Sequence, residues 1–472
     1  MLNDSNGIAA SGGIENSHVA VIGGGISGLA MAYWLTKSGA RVTLYEASNQ
    51  LGGLGTFFQY RNVSLEKFYH CMLPSDKHLL SLLQETDLLD EIYWKDTSFG
   101  FMQKGQLYGL NTPVELLRFS PLSLIDRFRV GFTGLWGSIC SSQGLDDVTC
   151  VEWLSRLSGK RAFETFWKPM LQAKFGDRYH EVPALWFWTR FNREKGGNKK
   201  ECKGYIHGGY RRIVDTLANF IQAQGGTIKL ETAIEKMDLN EKEQLVIHTS
   251  QSETNIFDRI VITTPIAFLE KVLSNNKLAE RCPKIDNTID MQGVVNAVIM
   301  LRRGFTKHYW VAAIDEDIPF QGIVESTTLL EKSDTGGVHL IYLMNYVHRT
   351  EPLFEKSEDE ILDGYITGLK KLFPDLQDDD IVDRYLFRAP YVEPLYTTGY
   401  QKRKPPTELI AGKLYLATTA QVYPDVTSWN GSIGLARKVF DQILNKKNPN
   451  PERVGSFEHV KEAKTASPPL AN

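Results

Sequence analysis

The stretch His18-Val-Ala-Val-Ile22-Gly23-Gly24-Gly25-Ile26-Ser27-Gly28 constrains this chain more than any other. Its apolar start suits a buried parallel strand, and Gly23, Gly25 and Gly28 then take the spacing G-x-G-x-x-G. Gly23 permits a tight turn, Gly25 lets backbone approach a pyrophosphate, and Gly28 lets the next helix lie close on the strand. Ile26 and Ser27 fall in the first turn of that helix, whose free N–H groups favour anionic phosphates. Leu29 to Ser38 has helical periodicity, Gly39 is a natural stop, and Arg41 to Tyr45 reads as a second strand ending in Glu46-Ala47. A carboxylate at that strand end can accept hydrogen bonds from ribose hydroxyls and would repel a 2′-phosphate. Strand, glycines, helix, strand and acid in this order predict a dinucleotide-binding βαβ unit and an α/β fold. A glycine turn of another kind would leave Glu46 without a task.

A chain of 472 residues exceeds one simple core, so two lobes are expected. The formal net charge of −3 conceals no long block of one sign, which argues against a nucleic-acid groove. Five cysteines (Cys71, Cys140, Cys150, Cys202 and Cys282) are scattered and form no C-x-x-C pair. Neither a disulfide framework nor a metal site is suggested, and a reducing cytoplasm is the default location. Residues 1–16 read as a disordered polar leader, and 446–472, with Asn448-Pro-Asn-Pro451 and Ser467-Pro-Pro469, as a disordered tail. No run of eighteen apolar residues exists, so a spanning helix is not expected. Leu116 to Cys140 mixes Phe, Leu, Ile and Trp136 with Arg118, Arg127 and Arg129. Such a segment either contacts a membrane surface peripherally or packs a helical lobe, packing being the commoner fate.

The residues after Glu46 distinguish one dinucleotide from another. The pair Gly52-Gly53 comes soon after the acid, and here the sequence resembles the flavin-containing amine oxidase superfamily, which includes protoporphyrinogen oxidases and phytoene-desaturase-like enzymes. Most members carry an Arg or Lys after these glycines; this chain has Leu54-Gly55-Thr56. Phosphate charge must then be met by backbone N–H groups, a helix dipole or an Arg from elsewhere. Gly204 to Tyr210, a helical pattern Ile213 to Gln224 and the strand Thr227 to Leu230 are similar to the superfamily's middle segment. Its next apolar residue, here Ile234, contacts the adenine through backbone. Asp258 to Pro265, with Thr264 near its end, is similar to the return strand. Lys413 to Ala417 followed by Thr427-Ser-Trp429-Asn430-Gly431-Ser432-Ile433-Gly434 is similar to the closing motif, whose helix N-terminus faces the pyrimidine end of the flavin.

The resemblance implies FAD, held non-covalently because no Cys stands where covalent attachment is expected. It implies a discontinuous Rossmann-like FAD-binding domain from 17–75, 203–265 and 405–445. The interleaved α+β substrate domain would comprise 76–202 and 266–404. No second G-x-G-x-x-G is present, so a separate NAD(P)H domain is not expected.

Flavin dehydrogenation needs a substrate C–H held against the ring in a dry pocket and makes few side chains obligatory. Glu66 and His70, four apart, would share a helix face if their segment is helical, giving an acid/base or flavin-edge pair. Arg388 is a candidate for an anionic substrate group, and Tyr391 with Pro394 precedes the return to the FAD domain, where the superfamily often lines its site. The clusters Phe163, Phe166, Trp167; Trp186, Phe187, Trp188; Tyr309, Trp310; and Tyr385, Phe387, Tyr396 are expected mainly as core. Two departures weigh against simple amine oxidation: Asn296 falls where a Lys is expected on the strand Val294 to Met300, and Ser432 replaces a caging aromatic. The stretch around Tyr423-Pro424 looks closer to the porphyrinogen-oxidase and desaturase branches. The expectation is an FAD-dependent oxidase or dehydrogenase acting on a bulky, largely apolar or cyclic small molecule, with oxygen, a quinone or a carrier protein as acceptor. One alternative is an isomerase resembling UDP-galactopyranose mutase, with no net redox, which needs arginines converging on a diphosphate. Another is a flavoprotein partner without turnover.

Overall fold

The computed structural model describes residues 14–193, 201–273, 277–286, 288–313, 315 and 317–444. The leader expected at 1–16 lies outside these residues up to position 13, as does the tail expected at 446–472. Ile14 is fully buried, and Asn16 N–H donates to Gly39 O at 2.9 Å.

Short strands with continuous buried runs demand cover on both faces. Six of them form one sheet in the order Glu408–Ile410, Leu414–Leu416, Arg259–Ile262, His18–Ile22, Arg41–Tyr45 and Thr227–Lys229. All neighbours are parallel except the first pair. The helix Ile26–Lys37 follows the first strand, and ten of its twelve residues are buried. It packs between the helices Tyr210–Ala223 and Trp429–Ile443. Nearly all-round burial explains why its sequence is apolar on every face. This is a Rossmann-like layer assembled from three separated stretches of chain.

A seven-stranded mixed sheet makes the second body, in the order Ile381–Pro394, Met291–Leu301, His339–His348, Gly322–Glu325, Trp310–Ala313, Phe99–Gln103 and Gln106–Gly109. Its second strand, Met291–Leu301, is buried at every position. Val294, Val298 and Met300 face the Rossmann-like side. Val295, Ala297, Ile299 and Leu301 face the helix Glu358–Leu372. Period-two alternation thus divides one strand between two cores.

Short helices between residues 113 and 193 form a third layer around a separate aromatic core. Phe163, Phe166, Trp167, Trp186 and Phe187 are buried there, as expected of packing material. Packing on this lobe, one of the two fates expected of Leu116 to Cys140, accounts for only one face of the segment. The helix Leu124–Ile139 buries Asp126, Val130, Thr133 and Gly137, while Leu124, Ile125, Phe128, Phe132, Leu135, Trp136 and Ile139 are exposed. Gly137 accounts for the reversal, because a Cβ there would meet the Phe191 ring at 2.5 Å. Close approach to the helix Ala184–Arg193 requires the small residues inward, so the large ones point out.

Candidate functional site

The two glycine loops hold each other. Gly52 N–H donates to Gly24 O at 2.8 Å, and Gly25 and Gly52 form a parallel bridge. Gly23 sits at φ +108°, and a Cβ on Gly28 would overlap Gly23 O, so the helix Ile26–Lys37 begins hard against the strand end. At Gly25 a Cβ would approach only Gly53 Cα, at 3.8 Å. That contact is ordinary, so bareness at Gly25 is not required by the protein's own packing. Gly25 caps the helix without a side-chain hydrogen bond, and no acidic residue lies in the first turn. The amides of Ile26, Ser27 and Gly28 therefore have no intrahelical acceptor and, with the dipole behind them, favour an anion. Beside the turn, Thr264 Oγ1 is buried with no hydrogen-bond partner. A glycine cradle at a helix N-terminus and an orphaned buried hydroxyl at one turn fit a pyrophosphate.

Glu46 Oε2 accepts from Gly24 N–H at 2.7 Å and Oε1 from Ser48 N–H at 2.9 Å. A carboxylate has about four acceptor positions, so two remain for ribose hydroxyls. Its backbone N–H donates to Lys229 O and its carbonyl accepts from Thr232 N–H, each at 2.9 Å. These bonds bring Ile234, buried at the start of the strand Ile234–Leu239, near this end of the site, with Ala47 exposed beside it. Leu54 lies in the turn Gly53–Gly55, where the superfamily carries a cation.

The closing helix Trp429–Ile443 packs on the glycine-turn helix, and Ser27 Oγ donates to Ser432 O at 3.3 Å. Ser428 caps it by accepting from Gly431 N–H at 3.1 Å. Asn430 is turned elsewhere: its Oδ1 accepts from His78 N–H at 2.8 Å and Leu79 N–H at 3.2 Å, capping the helix Lys77–Glu85. Its Oδ1 is thereby occupied. Ser432 and Ile433 are buried within the helix, and the Trp429 ring lies where a Cβ on Gly55 would strike it.

His70 joins this end of the site. Its ring lies 4.9 Å from Tyr210 and 5.8 Å from Trp429. Nδ1 donates to Phe68 O at 2.8 Å, which leaves Nε2 as acceptor. Burial pushes its pKa down to about 4, partly opposed by that carbonyl, so the imidazole is neutral. The proposed helical pairing with Glu66 does not occur, because Glu66 ends the strand Val63–Glu66 and the chain then runs irregularly. Instead Glu66 is a fully buried anchor. Tyr205 Oη donates to both its oxygens at 2.8 Å, and Tyr210 N–H donates at 2.7 Å. Tyr342 Oη donates to its carbonyl at 2.8 Å. Burial pushes the carboxyl pKa up, opposed by these donors.

On the facing sheet, Asn296 is 1% exposed and its Nδ2 donates to Lys67 O at 2.7 Å. Burial lowers the pKa of Lys67, whose Nζ lies 5.8 Å from the Phe387 ring centroid. Deeper in, Tyr69 and Tyr346 hydroxyls meet at 3.3 Å, and Lys174 Nζ sits 3.7 Å from the Tyr346 ring centroid while pairing with buried Glu393. Nothing in local sequence marked Lys174 and Glu393, which are distant in the chain and carry no motif. Arg388 is a correction. It pairs in register with Val295, on the face toward the helix Glu358–Leu372, and donates to Lys356 O at 2.6 Å. The sheet separates it from the Rossmann-like side. Tyr391 is half-buried against the aromatic core, with Arg349 5.6 Å from its ring centroid.

The profile of the family described as flavin containing amine oxidoreductase matches residues 26–431. The chain is 24% identical over 393 residues to the 15-cis-phytoene desaturase of Narcissus pseudonarcissus, covering 76% of this chain and 66% of that one. It is 24% identical over 314 residues to the mitochondrial protoporphyrinogen oxidase of Nicotiana tabacum, covering 56% and 60%. The matches thus span 66% and 60% of those curated relatives' own length. A crystal structure of reduced UDP-galactopyranose mutase superposes with a TM-score of 0.71 at 15% identity, over 92% of this chain and 96% of that one, a likeness of fold alone. A profile match running from the first turn of the helix Ile26–Lys37 through the Gly52-Gly53 loop and the facing sheet to the start of the closing helix leaves one assignment: this chain belongs to the flavin-containing amine oxidoreductase family.

Proposed function

We propose that the protein is an FAD-dependent oxidoreductase that takes hydride from a bulky, largely apolar or cyclic organic substrate and holds its flavin non-covalently. The observation that carries this reading is the uncharged His70 imidazole packed near Trp429 at the ring end of the site. His70 is kept uncharged by burial, and Asn296 occupies the strand position where the superfamily has a lysine. Ser432 lies inside its helix where an amine-caging aromatic would stand. A site of this kind favours a C–H donor without a cationic amine.

Bound FAD would supply the hydride acceptor. The chain's residues bind, orient and exclude water. Gly23, Gly25, Gly28, Gly52 and Gly53 let backbone close on the pyrophosphate, with the Ile26 and Ser27 amides and Thr264 as donors. Glu46 takes the ribose hydroxyls, and the backbone near Ile234 takes the adenine. The first turn of the closing helix, at Trp429 and Asn430, presents N–H groups that favour added negative charge at the pyrimidine end. The His70, Tyr210 and Trp429 rings pack together there and leave His70 Nε2 as an acceptor.

The test is the visible spectrum of purified protein followed by anaerobic addition of a polyene, a porphyrinogen or an amine. Bleaching by a polyene or porphyrinogen supports the proposal, and bleaching by a simple amine alone refutes the substrate class. Turnover of a sugar nucleotide only after dithionite, without net electron transfer, would assign the mutase chemistry instead. Acid precipitation should release all flavin into the supernatant if no covalent bond exists.

A further inference from the structure

The helix Leu124–Ile139 is built inside out. Its seven outward large apolar residues, Leu124, Ile125, Phe128, Phe132, Leu135, Trp136 and Ile139, are 42–67% exposed, while Asp126, Thr133 and Gly137 face the protein. The preceding helix Pro113–Arg118 adds Val114 and Leu117, so this surface holds nine of the twelve exposed large apolar side chains among the described residues. Scattered apolar residues need no explanation, but concentration on one continuous face does.

On these two helices the outward charges have one sign. Of the two acids on these helices, Glu115 is consumed by the cap of its own helix, accepting from Asn111 and Thr112 amides at 2.7 and 3.2 Å. Asp126 is buried and paired from behind with Arg129 at 3.8 Å and Arg161 at 3.6 Å. Arg118, Arg129 and Arg161 remain outward, the last two with side chains 55% and 72% exposed. Arg127 donates to Leu117 O and Leu122 O, which locks the two helices into one platform.

Length and charge select the occupant. Sixteen residues of helix reach about 24 Å, short of a bilayer's hydrocarbon core. No helix of the described residues is long and apolar enough to cross a membrane. Packing against a second copy through a two-fold axis would set this cationic rim against itself. An apolar stripe with a cationic rim and a Trp near one end matches the acyl boundary beneath anionic headgroups.

We propose that this face binds in the plane of an anionic lipid surface. The seven apolar side chains enter the acyl boundary, and Arg118, Arg129 and Arg161 meet headgroup phosphates. Lipid binding of this kind is independent of the substrate reading, since it needs no turnover.

The test is co-sedimentation of the full chain with vesicles of phosphatidylcholine, alone or with added phosphatidylglycerol. Partitioning should rise at least tenfold with the anionic lipid. The double variant Phe128→Asp/Leu135→Asp should lower it at least tenfold, with flavin absorbance and urea midpoint unchanged because neither side chain is packed. Arg118→Ser should weaken the preference for anionic over neutral vesicles several-fold. Equal sedimentation of parent and double variant overturns the proposal. So does a dimer that binds no vesicles and is split by the double variant, which would assign the face to a second copy.

Discussion

Asn296 Nδ2 donates to the Lys67 carbonyl at 2.7 Å, fastening the strand Met291–Leu301 of the seven-stranded sheet to the segment that carries His70. Asn296→Leu keeps the approximate volume but leaves that carbonyl unpaired. We expect a loss of about 1–3 kcal/mol, read as a lower urea midpoint with an unchanged slope. A midpoint equal to the parent's would mean that the contact does not hold the two bodies together.

Gly25 and Gly28 separate binding from folding. A methyl group fits at Gly25, where it would lie 3.8 Å from Gly53 Cα, but at Gly28 it would overlap Gly23 O. Gly25→Ala should fold like the parent and bind FAD at least tenfold more weakly, about 1.4 kcal/mol. Gly28→Ala should lower the thermal midpoint even without cofactor. If Gly25→Ala purifies with a full complement of flavin, the pyrophosphate does not lie against that residue.

The pH dependence of stability is governed in part by His70, whose pKa is about 4 in the folded chain against 6.5 ordinarily. Between these values the unfolded chain takes a proton that the folded chain refuses. The contribution is therefore intact above about pH 6.5 and decays as pH falls, by about 2 kcal/mol at pH 5. His70→Gln should flatten this part of the curve when unfolding free energies at pH 5 and pH 7 are compared. Parallel curves for parent and variant would show that the imidazole titrates normally.

Glu66 is held by Tyr205, Tyr210 and, through its carbonyl, Tyr342. Glu66→Leu strands the Tyr205 hydroxyl and the Tyr210 amide in the interior and should cost about 2–5 kcal/mol. Chemical denaturation measures it. The Tyr205→Phe/Glu66→Leu double variant should recover part of the loss, because both partners of one bond are then removed.

The glycine turn, the acid after the second strand, the Gly-Gly loop and the closing helix are legible in the sequence because each rests on local backbone rules. A turn at φ +108° needs glycine at position 23, and an N-terminus needs Ser428 or its like. Glu66 and His70 mislead because spacing of four suggests a helix, whereas pairing with Phe57–Tyr60 places Glu66 on a strand. Arg388 misleads because sequence does not reveal which face of a strand looks toward the flavin side; register with Val295 decides that.

By itself, then, the sequence determined the βαβ unit, the order of the glycine loops and the flavin family, since these depend on residues near one another or on motifs with fixed backbone tasks. Tertiary structure alone decided that His70 lies against Tyr210 and Trp429, that Lys174 meets Glu393, and that the helix Leu124–Ile139 turns its apolar side outward. Those outcomes depend on strand register and on how closely two helices approach. Both are set by the packing of residues distant in the chain, which no local pattern encodes.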